Sequence, residues 1–177
     1  MGVVKGVLAA SVSLFLAGCY TADFGVLDPD QSVVPQETVT VLIRDEPMEL
    51  AAEGGAYAIM NPQNDDDRQV LIRLWPVTED GPYIVAFWPR DGVEEKTPVI
   101  IFGVMTMGDG QVEISGDCSG PTLEAALAAG AVLEPAEPRA GRKSCHFDDR
   151  ESLFAFARAV VTEPLWGEAH KVLPLTP

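Results

Sequence analysis

Apolar side chains recur at every second position through much of the middle of the chain, the repeat of a strand with one buried face. Thr38 to Ile43 places Val39, Val41 and Ile43 together. Ala56 to Met60 is a shorter run behind Gly54-Gly55. Gln69 to Val77 sets Val70, Ile72 and Leu74 on one side and Leu71, Arg73 and Trp75 on the other. Tyr83 to Trp88 groups Tyr83, Val85 and Phe87. Thr97 to Met107 is apolar almost throughout, as a central strand is, and Gln111 to Ser115 follows it. Between these runs stand turn formers: Asn61-Pro62, Asp80-Gly81-Pro82, Asp91-Gly92 and Asp109-Gly110. Asp-Gly tolerates the positive φ angles of tight hairpins, so residues 107–111 predict one. Spacings this short leave no room for crossover helices and favour an antiparallel meander.

After Cys118 the period changes. Pro121 suits the first position of a helix, Leu123, Ala126 and Leu127 follow at helical spacing, and Gly130 is a stop. Glu134 to Arg142 carries Pro and Gly and reads as a loop. A second helix is expected from about Asp148, with Asp148 and Glu151 at capping-box spacing and a stripe of Leu153, Phe156, Ala157, Val160 and Val161. Pro164 ends it, and Trp166 to Pro177 reads as an irregular tail. The predicted class is α+β: an antiparallel β-meander of about five or six strands with two C-terminal helices packed on it.

The first residues follow neither period. Lys5 supplies a positive charge, and Gly6 to Leu16 is an apolar run broken only by Ser11 and Ser13. At about 11 residues it falls well short of the ~20 that span a bilayer, and so reads as a cleaved export signal. The run ends in Leu16-Ala17-Gly18-Cys19, which resembles the lipobox of bacterial lipoproteins. That resemblance covers residues 1–19 alone. It implies a diacylglyceryl thioether on Cys19, cleavage after Gly18 and acylation of the new amine. Ala17 and Gly18 let an extended backbone enter a protease cleft at the membrane. Each buried methylene contributes about 0.8 kcal/mol, and two or more chains anchor stably where one is marginal. By resemblance to the sorting rule of enteric lipoproteins, a residue other than Asp after the cysteine, here Tyr20, implies delivery to the outer membrane, facing the periplasm. The expected organisation is a signal peptide over 1–18, a lipidated Cys19 with a flexible tether over 19–37, and one α+β domain over 38–177.

Export changes the reading of the other cysteines. In an oxidising compartment Cys118 and Cys145 are expected to pair. The loop so closed, of about 27 residues, is worth roughly 3.5 kcal/mol by chain entropy. Such a bond ties the end of the sheet to the entrance of the second helix. The net charge of −15 opposes binding to nucleic acid and to anionic membrane surfaces, and where charge selects a partner that partner is basic.

Candidate chemistry is sparse. Among two histidines, His146 neighbours Cys145, which has no thiolate to activate once oxidised. Gly-x-Ser-x-Gly, HExxH, zinc-spaced Cys/His sets and phosphate-binding glycine loops are all missing from the sequence. Asn64 to Asp67 offers hard oxygen donors, with Asp65 and Asp67 the metal candidates, but lacks the spacing and distal Glu of a calcium loop. A solvated hairpin loop is the better reading. Trp75, Trp88, Tyr83 and Phe87 lie on neighbouring predicted strands and form a candidate binding groove. Glu94, Glu95 and Asp117 are acids that nothing pairs.

The leading functional reading is therefore a lipid-anchored, non-enzymatic envelope lipoprotein that binds another envelope protein or supports an envelope assembly, with no cofactor. One alternative is a periplasmic inhibitor of a basic enzyme such as lysozyme, by analogy with small disulfide-bearing inhibitor lipoproteins. Others are a binder of a small apolar ligand and a hydrolase with an unrecognised carboxylate site.

Overall fold

The computed structural model describes residues 20–43, 46–62, 65–79, 81–91, 99–108, 111–115, 118–135 and 143–162. In chain order the elements are β1 (Tyr20–Ala22), a 3-10 turn at Pro29–Gln31, β2 (Thr38–Ile43), β3 (Glu46–Glu53), β4 (Ala56–Ile59), α1 (Asp65–Arg68), β5 (Val70–Pro76) and β6 (Tyr83–Pro89). There follow β7 (Val99–Gly108), β8 (Gln111–Ser115), α2 (Gly120–Ala128), β9 (Val132–Pro135), β10 (Lys143–Phe147) and α3 (Arg150–Thr162). The class is α+β with two C-terminal helices, as the pattern predicts.

The strands run β2-β3-β4-β5-β6-β7-β1-β10-β9, with β8 on β7. β2 to β7 is the expected antiparallel meander. Its second turn shows the glycine chemistry plainly: Glu53 pairs with Ala56, and Gly54 and Gly55 between them have φ of 57° and 78°. That left-handed pair fits the right-handed twist of the flanking strands, and glycine adopts it without a Cβ clash. β7 pairs with β8 from Val104–Ser115 to Gly108–Gln111, so the predicted Asp109-Gly110 connection is two residues long.

The sheet is longer than the period suggests because four strands come from segments with weak or contrary signals. After Pro47, β3 is built of Glu, Met, Leu and Ala, good helix formers, yet pairing to β2 and β4 on both sides overrides that preference. β9 and β10 flank the predicted loop as an antiparallel pair. Tyr20–Ala22 departs most from expectation. In place of the start of a tether it is a strand paired with β7 on one side and, in parallel, with β10 on the other. Residues 26, 27 and 33 are likewise part of the folded body: Val26 and Leu27 are buried, and Val33 donates to the Leu74 carbonyl at 2.8 Å. The physical reason is burial. Tyr20 and Ala22 are fully enclosed, and three residues suffice to bridge two strands that do not pair with each other.

Apolar residues fill both faces. On one side Tyr20, Trp75, Ile84, Trp88, Ile101 and Phe147 pack with Phe156, Ala157 and Val160 of α3. On the other, Val39, Leu50, Tyr57, Ile72, Leu74 and Val85 form a smaller cluster. β6 serves both, which is why its sequence is apolar at nearly every position. The register of β6 on β7 shifts between Val85 and Ala86, placing Phe102 as the extra residue of a bulge. Beyond it β7 exchanges β1 for β8 as its neighbour.

α3 begins one residue later than the expected box. Asp149 caps it, accepting from the Ser152 N–H at 2.8 Å and the Ser152 hydroxyl at 2.6 Å. Its buried stripe of Leu153, Phe156, Ala157 and Val160 is the predicted one. Gly130 follows α2 with φ of 106°, the left-handed stop expected there. Cys118 and Cys145 are paired, with Cα atoms 5.9 Å apart. The bond joins the approach to α2 with β10, rather than reaching the entrance of α3.

Candidate functional site

Parallel pairing sets Tyr20 opposite Cys145, Thr21 opposite His146 and Ala22 opposite Phe147. Because strand side chains alternate, Tyr20, Ala22, Cys145 and Phe147 turn toward the helices. Thr21, Ser144 and His146 turn to the other face, where Glu134 of β9 lies across from Ser144. The result is a polar constellation at the β1-β10-β9 end of the sheet.

Thr21 Oγ1 is 2.9 Å from His146 Nδ1 and 3.2 Å from Ser144 Oγ. His146 Nε2 is 3.2 Å from Asp23 Oδ1, and Glu134 Oε2 is 3.8 Å from Nδ1. The imidazole side chain is 11% exposed, while Asp23 and Glu134 are open to water. With Nε2 donating to Asp23, Nδ1 accepts from the Thr21 hydroxyl, and both contacts are satisfied by one tautomer, which is assigned from its partners. A doubly protonated ring finds Asp23 and Glu134 as carboxylate partners.

Hydroxyl, imidazole and carboxylate in that order are the parts of a nucleophilic relay. β1, however, is paired on both sides, so the backbone N–H groups around Thr21 are engaged in the ladders and do not converge on an oxyanion. What the cluster does plainly is fasten β1 to β10 through side chains as well as backbone. Sequence reasoning missed it. His146 stands in view, but Thr21 and Asp23 lie more than 120 residues away in a segment without periodicity. The only local trace is the polar–apolar alternation of Tyr20 to Asp23.

The four aromatics proposed for a groove are divided by the sheet. Trp75 and Trp88 share the helix-covered face, with ring centroids 5.9 Å apart. Trp75 is fully enclosed and donates from Nε1 to the Asp28 carbonyl at 2.7 Å. Tyr83 and Phe87 belong to the opposite face, half-buried against Val85 and Leu74. Alternation forces this: Trp88 is out of step with Tyr83 and Phe87 but in step with Ile84, and Trp75 pairs with Ile84. Arg73 lies over Trp88, its Cζ 5.6 Å from the ring, and Nη1 donates to the Pro29 carbonyl and to Ser32 Oγ. Its Nε is buried with no hydrogen-bond partner among the described residues, and burial lowers its pKa, partly offset by Asp30.

Asp65 sits exposed on the single turn of α1, 4.0 Å from Arg68, and the side chain of Asp67 lies outside the described residues. Among the described residues no group of three His, Cys, Asp or Glu is placed to hold a metal ion. Cys19, Glu94, Glu95 and Asp117 lie outside the described residues. No helix among the described residues is long and apolar enough to cross a membrane.

At the C-terminal ends of β1 and β10 the chain is acidic. Asp23 donates its N–H to the Phe147 carbonyl at 3.0 Å, and Asp148, Asp149 and Glu151 follow, all exposed. Comparisons with protein-family models, with curated proteins and with solved structures give no match to the chain.

Proposed function

We propose that the chain is a lipid-anchored lipoprotein of the bacterial cell envelope, held at the outer membrane on its periplasmic side, whose domain is a non-enzymatic module that binds a basic envelope protein. The observation that carries the reading is Leu16-Ala17-Gly18-Cys19 closing a short apolar run that starts behind Lys5. The Cys118–Cys145 pairing supports it, since such bonds persist outside the reducing cytosol. A net charge of −15 and the acidic residues around the ends of β1 and β10 support a basic partner. An inhibitor of a basic hydrolase such as lysozyme is one form of this reading, and an inhibition assay without effect removes that form.

Growth with radioactive palmitate tests the anchor. The wild-type chain takes the label and the Cys19→Ser chain does not. An unlabelled wild-type chain overturns the reading. In-cell crosslinking then tests the module, and a partner whose capture falls at least tenfold on Asp23→Lys or Asp148→Lys supports a basic ligand.

A second reading, hydrolysis, is favoured by the contact of Thr21 Oγ1 with His146 Nδ1 and of Nε2 with Asp23. Turnover of an activated acyl ester that is lost in Thr21→Val and in His146→Gln supports it.

A further inference from the structure

β2 is a terminal strand of the sheet and, among the described residues, pairs with β3 alone. The Ala52 N–H donates to the Glu37 carbonyl at 2.8 Å, one step before the Thr38–Ala51 partners. Antiparallel partners alternate between hydrogen-bonded and non-hydrogen-bonded pairs, so Val39, Val41 and Ile43 exchange bonds with β3. Thr38, Thr40 and Leu42 therefore turn their N–H and C=O groups to the open edge, spaced evenly about Thr40.

Nothing in the strand guards that edge. Thr38–Ile43 carries no charge, no proline and no break in register. Natural sheets blunt open edges with such devices. β9, at the far end of the sheet, has two of them: Glu134 and Pro135 make up half of its four residues. An unguarded row of donors and acceptors on β2 is a pairing edge.

We propose that β2 pairs antiparallel with β2 of a second copy of this chain, across a two-fold axis at Thr40. Thr40 then stands opposite Thr40 of the second copy, and Thr38 of each copy opposite Leu42 of the other. Each of these pairs exchanges two hydrogen bonds, which uses every backbone group that β2 leaves free. Opposed residues differ by an even number of positions, so each face of one sheet continues into the same face of the other. The contact is self-complementary because the free groups map onto themselves about Thr40.

Charge selects this occupant. A basic partner is drawn to carboxylates, and Thr38–Ile43 has none although the chain carries a net charge of −15. A neutral strand suits the neutral edge, and the chain's own β2 is one. Two acidic copies can meet there because their acids stay apart. Glu49, exposed on β3 beside Thr40, stands three strand spacings from Glu49 of the second copy, about 14 Å. That exceeds the Debye length of about 8 Å at physiological ionic strength, so their repulsion is screened. The two Glu37 residues lie at opposite ends of the paired strands. One strand pair buries less than the ~1,200–2,000 Å² of a stable complex, so the dimer forms at high protein concentration.

The experiment uses the chain from Tyr20 to Pro177, which holds every described residue. Sedimentation between ~10 μM and ~1 mM, the range of weak complexes, is expected to show the mass rising from one chain to two. Thr40→Pro removes an outward N–H and leaves the bonds to β3 in place, so it is expected to stay monomeric with an unchanged melting temperature. Thr40→Lys sets like charges opposite each other and is expected to do the same. Oxidation with copper–phenanthroline reads the register. Cα atoms of a hydrogen-bonded pair are about 5.5 Å apart, within disulfide reach, so Thr40→Cys is expected to link about tenfold faster than Thr38→Cys. Position 38 lies about 14 Å from its own copy, although Thr38 is the more exposed of the two. A chain that stays monomeric throughout overturns the proposal. So does a dimer that survives both Thr40→Pro and Thr40→Lys, and so does equal linking of the two cysteine variants. A monomer whose crosslinked envelope partner is lost on Thr40→Pro would give the edge to a foreign strand, which also overturns it.

Discussion

Tyr20 and Cys145 are register partners in the parallel pairing of β1 with β10, so the first residue of the folded body lies beside the cysteine that closes the disulfide to Cys118. Tyr20 also packs on Phe156, with ring centroids 4.8 Å apart, and on Phe147 at 6.4 Å. One short strand thus meets three pieces of the fold: the meander through β7, the β9–β10 pair and helix α3.

Deleting β1 tests that role. A soluble chain beginning at Tyr20 is expected to unfold in one cooperative transition. A chain beginning at Asp23 loses the strand that, among the described residues, hydrogen-bonds to both β7 and β10, together with the buried Tyr20 ring. Loss of an enclosed aromatic ring alone costs about 3–5 kcal/mol, a large part of the stability of a domain this size. Urea unfolding followed by circular dichroism is expected to show a broad, early transition for the shorter chain. Superimposable curves would remove the bridging role.

The disulfide closes a loop of 27 residues' separation. Chain entropy assigns it about 3.5 kcal/mol. The Cys118→Ala, Cys145→Ala double variant is expected to lose stability of that order in urea, with unchanged far-ultraviolet circular dichroism. A loss under about 1 kcal/mol would mean that the β1–β10 side-chain contacts already hold these pieces together.

What the sequence showed follows from where its signals are local. Period-two alternation identified β2, β5 and β6, Asp-Gly located the β7–β8 hairpin, and the Leu153–Val160 stripe identified α3. Each of these rests on neighbours within a few residues. β1 rests on partners more than 75 residues away, and three residues are too few to display a period. β3 spells a helix in propensity and becomes a strand because β2 and β4 lie on either side. The Thr21–His146–Asp23 cluster was hidden for the same reason as β1. The division of the aromatics was legible: Tyr83, Val85 and Phe87 were grouped by alternation, which already sets Trp88 on the opposite face.

That division changes what a tryptophan substitution reports. Trp75 is fully enclosed and its indole N–H satisfies the Asp28 carbonyl. Trp75→Ala is expected to cost about 3–5 kcal/mol through the cavity it leaves. Trp75→Phe keeps much of the volume but strands the carbonyl, at about 1–3 kcal/mol. Chemical denaturation checks both. If Trp75→Ala left stability unchanged, the ring would not be part of the core, and loss of a partner in that variant could be read as loss of a contact.

Tyr57 gives the fold a dependence on alkaline pH. Its hydroxyl donates to the Gln36 carbonyl at 2.8 Å and accepts from the Gln36 N–H at 3.3 Å. Burial raises its pKa above the ordinary value, the Gln36 hydrogen bond opposes that shift, and Tyr83 adds to it. A raised pKa means that the folded state favours the neutral phenol. The contribution is therefore fully present below the unfolded pKa of about 10 and is lost as pH rises through the higher folded value. Tyr57→Phe is expected to cost about 1–3 kcal/mol at neutral pH, because both Gln36 groups lose their partner. The gap between wild type and variant should then narrow above pH ~10, where only the wild type has a phenol at this position to ionise. Urea titrations of the two proteins at neutral pH and at several values above 10 measure the gap directly. A gap that stays constant would show that Tyr57 keeps the same proton affinity in the folded and unfolded chains.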